Sequence, residues 1–254
     1  MIISKEQIKY AKQIDSPYYN EIKIEFLFHS NKLEGSTFDE EQLISLIAEN
    51  KVQGEHSIDD VQETINSIKL FDFVVDTLDE DLTPRLLKEF NSLLKQNTKQ
   101  EEYGLVGVFK KIPNKLLGVD LKTAQPHEVE EKIKGLLNSK INNVDDVANF
   151  HQEFEHIHPF QDGNGRIGRF LMLRQCILNN IDLIAVDNEF EKEYKENLYI
   201  AQTQNNLKPL VDTFYKCQER LDNKLKDVKD FFEEVEKINN AEEVESEDDE
   251  DFDM

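Results

Sequence analysis

Glycine and proline, the residues that most often interrupt regular backbone, number only 9 and 6 in 254 residues. A chain with so few breakers, and with apolar residues recurring every three or four positions over long stretches, is constrained to fold mostly as helices. The spacing predicts a helix over Tyr18–Leu33 with Gly35 as its left-handed cap. A second helix follows through Leu43, Ile44 and Ile47, opened by a Thr37/Glu40 capping box. Further helices are predicted over Ile58–Leu78, Pro84–Leu94, Pro126–Asn138, Val144–Ile157, Arg166–Asn179, Glu189–Asn205 and Leu210–Val235. The segment Gly104–Leu121, "GLVGVFKKIPNKLLGVDL", departs from this pattern. Its β-branched and apolar residues around Pro113-Asn114 suit a short hairpin or a surface loop equally well. A hairpin with a free edge would accept an extended segment of another protein. The expected fold class is therefore all-α with a small β-hairpin.

The length suits one domain with extensions and is enough to bury a real core. No apolar run approaches the roughly 20 residues that cross a bilayer, and the start, "MIISKEQIKY", lacks the h-region of a signal peptide. Cys176 and Cys217 lie far apart without metal-ligand spacing, which argues against a disulfide framework and fits a reducing compartment. The expected setting is cytoplasmic, with no membrane partner. A net charge of -23 repels phosphate backbones and argues against nucleic acid as a partner. Nine of those charges fall in 241–254, "AEEVESEDDEDFDM", which contains no base and reads as an acidic disordered tail.

The chemistry concentrates in "HPFQDGNGRIGR", His158 to Arg169. Gly163, Asn164 and Gly165 tolerate the backbone angles that turn successive N–H groups toward one point, and a helix starting there adds its free amides and positive dipole end. Arg166 and Arg169, three apart on that helix, supply guanidinium forks suited to phosphate oxygens. An acid beside a phosphate site, Asp162, makes sense if Mg²⁺ bridges the two. His158 would then be the general base for an attacking hydroxyl. Gly-Asn-Gly alone is an ordinary turn and an arginine pair an ordinary solvated face; it is the combination that is specific. His151, His156 and His158 do not have the spacing of a familiar zinc motif.

This stretch resembles the signature of the Fic family at every fixed position, and the preceding "ANFHQEFEHI" is similar to the family's approach to its loop. The intact Gly-Asn-Gly sets it apart from the related Doc-type kinases. The resemblance extends more weakly over about Leu82 to Cys217. It implies the helical Fic fold and transfer of AMP from ATP to a serine, threonine or tyrosine hydroxyl of a protein, with release of pyrophosphate. His158 would take the hydroxyl proton, and Asp162 would hold Mg²⁺. Gly163, Asn164 and Gly165 would cradle the phosphates, Arg166 and Arg169 would clamp them, and Phe160 would anchor the loop. The target would dock on a flap near 111–119, where the family often has an arginine close to the position of Lys110.

Upstream, "SNKLEG" resembles the family's inhibitory motif through Ser30, Glu34 and Gly35, in the subclass whose inhibitory helix precedes the catalytic loop. The resemblance implies that Glu34 pairs with Arg169 and blocks the productive pose of the γ-phosphate. In some relatives this glutamate also aligns a water that removes AMP. The expected organisation is an N-terminal helical region over 1–80 containing the motif at 30–35, a Fic catalytic core over 81–217, a C-terminal helix over 218–240 and the tail over 241–254. Two rival readings remain: the same loop moving another nucleotide, phosphocholine or a phosphoryl group, and an inactive acidic interaction protein. The sequence leaves the target and the oligomeric state open, with a homo-oligomer among the options.

Overall fold

The computed structural model describes residues 1–114, 121–235 and 237. Eleven α-helices are assigned among them: α1 (Lys5–Gln13), α2 (Pro17–Lys32), α3 (Glu40–Glu49), α4 (Ile58–Asp76), α5 (Pro84–Lys95), α6 (Lys99–Glu102), α7 (Val129–Leu137), α8 (Val144–Ile157), α9 (Asn164–Leu178), α10 (Glu191–Gln204) and α11 (Lys208–Lys224). A 3₁₀ turn, Asn188–Phe190, leads into α10, and residues 226–235 are also helical. No strand occurs among the described residues. The all-α expectation holds. Residues 111–114 and 121–125 have no regular structure, so the proposed hairpin gains no support there, and the remainder of that segment, 115–120, lies outside the described residues. The acidic tail over 241–254 also lies outside them. No described helix is long and apolar enough to cross a membrane.

The fold is organised around α9, whose sequence NGRIGRFLMLRQCIL has no polar face. Twelve of its fifteen residues are buried, Phe170, Leu171 and Met172 completely. A helix buried on all sides must be surrounded, and α8, α4 and α2 do this, with its buried arginines paired to their neighbours. Phe26 on α2 lies against both Phe71 on α4 and Phe170 on α9, with ring centroids 5.8 and 4.9 Å away. Gly168 permits the closest approach: a β-carbon there would lie 2.3 Å from Glu155 Oε1 and 3.1 Å from both His151 and Phe154 of α8. The far end of α9 is tied down by Arg174, which is completely buried and donates to the carbonyls of Thr77 and Glu80 beyond the end of α4.

Element boundaries differ from the sequence reading where local hydrogen bonding decides them. The cap of α3 is Asp39 with Gln42, a reciprocal pair shifted by two residues from Thr37/Glu40, because Thr37 is engaged by Asp60 instead. Gly35 does take a left-handed conformation, with φ of +90° after the last turn of α2. The helix predicted over Pro126–Asn138 begins at Val129, following a turn in which Glu128 accepts from the Gln125 N–H. Leu210–Val235 is not one helix, since the chain breaks at Leu225, where φ is -107° and ψ is 40°. The expected boundary at 217/218 falls inside α11, which crosses it without interruption. Two helices, α1 and α6, were not anticipated; α1 has a signal in its Ser4/Gln7 capping box.

Arg174→Ala would leave the buried Thr77 carbonyl and the part-buried Glu80 carbonyl without their charged donor. The expected loss of stability is about 3 kcal/mol, measurable by urea denaturation.

Candidate active site

The loop from His158 to Gly163 joins α8 to α9, and the chain enters it through a residue in an unusual conformation. His158 caps the C-terminus of α8 with φ of 51°, its N–H bonded to the Phe154 carbonyl at 2.9 Å. This left-handed turn lifts the imidazole off the helix axis, leaving its side chain 18% exposed at the loop's edge. Phe160, completely buried, is the hydrophobic anchor of the loop.

Five carbonyls of the loop and its entry are strapped from outside. The Ile157 carbonyl accepts from Lys110 Nζ, at 3.1 Å, and that of Pro159 accepts from the Lys110 backbone N–H, at 2.8 Å. Asn114 donates to Phe160 and Gln161, and Asn91 donates to Asp162 at 3.1 Å. Asn164 folds back on the loop. Its side-chain carbonyl accepts from Phe160 N–H at 2.8 Å and its amide donates to the Phe160 carbonyl at 2.9 Å. Thus Asn164, expected to cradle phosphate, spends its side chain shaping the loop and has only its backbone N–H to offer an anion.

With the carbonyls restrained, α9 presents an uncapped N-terminus. Gly163 is the cap residue, at φ of 83°, and supplies no side-chain acceptor. The unpaired amides of a first helical turn form an anion site. Glu34 occupies its edge: a β-carbon on Gly165 would lie 2.4 Å from Glu34 Oε1. The same oxygen accepts from Arg169 Nη2 at 2.7 Å. Ser30 completes the grip, its hydroxyl accepting from Arg169 Nε and its carbonyl from Nη2, each at 2.9 Å. Ser30, Glu34 and Arg169 therefore meet across some 135 residues of chain. Burial disfavours the ionised Glu34, yet Arg169 and Arg166 prevail and hold its carboxyl below the usual range.

Arg166 and Arg169 do not share one partner. Arg166 turns to Glu63 on α4, with Nη2 2.5 Å from Oε2. Glu63 also pairs with Lys95 on α5, which in turn lies 2.6 Å from Asp162 Oδ2. Gly163 N–H donates to Asp162 Oδ1 at 2.7 Å. Burial acts to raise the Asp162 pKa, but Lys95 and Arg166 keep it lowered, so this half-exposed acid is ionised. An ionised carboxylate at the mouth of an anion site is a donor set that fits Mg²⁺, with Lys95 as its resident counter-charge. A different group of possible metal ligands, Glu25, His29 and Asp187, comes together on the other side of α2. There Arg220 pairs with both carboxylates, so a guanidinium already neutralises the cluster.

Two buried titratable groups flank the loop. Burial, assisted by Lys110, pushes the His158 pKa down to about 4, so the imidazole is neutral at neutral pH. Glu155 is buried with Oε1 unpaired, and burial pushes its carboxyl up to about 8, opposed by Arg169. His151 is completely buried and bonds the Tyr194 hydroxyl at 2.7 Å. Sequence reasoning did not single out Glu63, Lys95, Asn91 or Glu155. Each is an ordinary residue on an ordinary helix, and only a buried position for a charged side chain on α5, where Lys95 falls in line with Phe90, Asn91 and Leu94, was a usable signal.

With this geometry in place, the comparisons with known proteins converge. Residues 81–176 match the model of the Fic/DOC family. The chain carries a Fic/DOC-family domain. Over 74 residues it is 31% identical to the protein adenylyltransferase Fic of Aedes aegypti, a match covering 29% of this chain and 15% of that protein. The chain thus spans only a small part of the length of the curated relatives it matches. The fold is similar to a Fic domain-containing signaling protein from Bacteroides thetaiotaomicron, with a TM-score of 0.74, 23% identity, and coverage of 89% of this chain and 96% of that one. Fic-1 from C. elegans aligns with a TM-score of 0.69 at 19% identity, covering 83% and 64% of the two chains.

Because the folded Glu155 pKa is raised, the folded state retains a proton that the unfolded chain loses. Its contribution makes stability fall as pH rises between the ordinary value of 4.5 and about 8. Glu155→Gln is expected to flatten that limb of a denaturation midpoint against pH profile.

Proposed function

We propose that this protein is an Mg²⁺-dependent protein adenylyltransferase, belonging to the Fic subclass whose N-terminal helix restrains the catalytic site. The observation that carries the reading is the Ser30–Glu34–Arg169 contact. An acid from the turn after one helix covers the head of another at the point where an anionic substrate would bind, beside a histidine that burial keeps neutral. The name of the mosquito relatives, protein adenylyltransferase, supports AMP as the transferred group.

In this reading ATP lies along the N-terminus of α9, its phosphates facing the backbone amides of Gly163, Asn164 and Gly165. Arg166 and Arg169 are the cations that receive them. Asp162 holds Mg²⁺, which when bound neutralises charge on the phosphate oxygens. His158 accepts the proton of a serine, threonine or tyrosine hydroxyl on the target. The hydroxyl oxygen bonds to the α-phosphorus as the bond to the bridging oxygen breaks, and pyrophosphate leaves. A cavity of about 590 Å³ between α7, α8, α10 and residues 122–124 includes His156 and Ile157, the residues just before His158, and is large enough for the nucleoside. The target, a protein whose hydroxyl is presented near 111–119, reaches the loop from the side strapped by Lys110 and Asn114. Self-modification, a cytoplasmic setting and removal of AMP with Glu34 as water-positioning group belong to the same reading.

Glu34 restrains the reaction by competition. While it pairs with Arg169 it withdraws a cation from the triphosphate and sets negative charge against it. A modest misplacement of the α-phosphate costs about a hundredfold in rate.

Intact-mass measurement after incubation with ATP and Mg²⁺, with cell lysate as a source of targets, tests this. Glu34→Gly is expected to increase the AMP adduct by about a hundredfold in rate, and adding His158→Ala should abolish it. ATP labelled at the γ-position should leave no label on protein, whereas α-label should; the reverse pattern would make the chain a kinase. The transfer rate should stay level through the ordinary histidine range and fall only as pH approaches about 4, where His158 becomes protonated. A rate already halved at an ordinary histidine pKa would contradict the assignment of His158 as a buried, neutral base.

A further inference from the structure

Between the turn after α2 and the first half of α4 lies a chamber of about 240 Å³. Among the residues lining it are Asn31, Glu34, Thr64 and Arg166. Three buried polar atoms of this lining have no hydrogen-bond partner among the described residues: Arg166 Nε, Thr64 Oγ1 and Asn31 Oδ1. Asn31, Thr64 and Arg166 are 6%, 1% and 5% exposed. Buried polar atoms are normally satisfied, and each orphan costs free energy, so three around one chamber call for an account.

The other charged groups there are already engaged. Glu63 is held by Lys95 and Arg166, and Asp60 accepts from both the N–H and the hydroxyl of Thr37. What the chamber still offers is a guanidinium N–H and a hydroxyl able to donate, a pair suited to a carboxylate. A carboxylate already stands at its wall, that of Glu34. Arg166 already acts on that carboxyl from this side, second to Arg169 among the charges that hold it ionised.

The helix leading into the turn that bears Glu34, α2, is fastened independently of the Glu34–Arg169 bond. Asn31 Nδ2 donates to Ser67 on α4 at 3.0 Å, Ser30 accepts twice from Arg169, and Glu25 pairs with Arg220 of α11. Withdrawing α2 as a body would break all of these, several of them buried. Rotation of the Glu34 side chain breaks one.

We propose that the chamber is the receiving site for the Glu34 carboxylate: on release Glu34 rotates away from Arg169, α2 stays in place, and the Arg166 Nε–H and the Thr64 hydroxyl bind it. The proposal rests on reading Glu34 as the restraint. It also gives Arg166 a part in the restraint cycle beside the one it has toward phosphate: its Nε–H holds Glu34 while Arg169 is freed for the triphosphate. Thr64 then sets the balance between restrained and released states without touching the nucleotide.

The test is a cycle of four proteins, wild type, Thr64→Val, Glu34→Gly and the double variant, each titrated calorimetrically with MgATP, with thermal melting to verify folding. Glu34→Gly should bind MgATP more tightly than wild type. Thr64→Val should weaken MgATP binding on the order of five-fold when Glu34 is present, because the released state loses a hydrogen bond. It should leave the Glu34→Gly affinity unchanged, and Thr64→Ser, which keeps the hydroxyl, should match wild type. Equal weakening in both backgrounds, or no weakening with Glu34 present, overturns the receiving site while leaving the restraint intact. If Glu34→Gly itself fails to tighten MgATP, the restraint by competition falls, and the receiving site with it.

Discussion

The structure depends on how one buried cation is satisfied. Arg169 is 3% exposed at the head of the most enclosed helix in the molecule, and a guanidinium in that position must be paired. Its partners come from the neighbouring α2, through Ser30 and Glu34. The requirement for pairing fixes the end of α2 over the start of α9. With Glu34 there, a β-carbon on Gly165 would lie 2.4 Å from its Oε1, so a larger residue at 165 fits only if Glu34 moves. The contact that satisfies the core therefore also sets a carboxylate at the head of α9.

The catalytic loop is governed by a complementary rule, that backbone polarity must be accounted for. Lys110, Asn91 and Asn114 bond the loop's carbonyls from outside, so the amides at the head of α9 are what the site presents to an anion. Lys110 has a second effect. Its ammonium, itself pushed down to about 8 by burial, adds to burial in keeping His158 neutral. Backbone shape and the protonation of His158 are therefore set partly by one side chain.

How much of this could be read from the sequence depended on sequence separation. The loop from His158 to Arg169 is contiguous, so its chemistry was legible, as was the Ser30–Glu34–Gly35 turn once the loop had suggested a partner for it. The helices showed through their spacing because burial repeats every turn. The chain Asp162–Lys95–Glu63–Arg166 was not legible, since it joins three helices and a loop across up to about a hundred residues and uses side chains that are usually solvated. Thr37 illustrates the local failure: its pattern is that of a cap, but Asp60, far along the chain, claims its N–H and hydroxyl, and the cap passes to Asp39.

The clamp formed by Arg220 with Glu25 and Asp187 lies one to two turns upstream of Ser30 on α2 and makes no contact with the straps on the catalytic loop. The helix that carries Arg220 nevertheless packs on α8 as well, with Phe214 of α11 against His151 at 6.0 Å between ring centroids, so α2 and the helix leading into the loop share a support. Loosening of α11 would therefore act on both at once, freeing α2 from Arg220 and withdrawing Phe214 from His151, so that the placement of Glu34 and the approach to the loop stand or fall together.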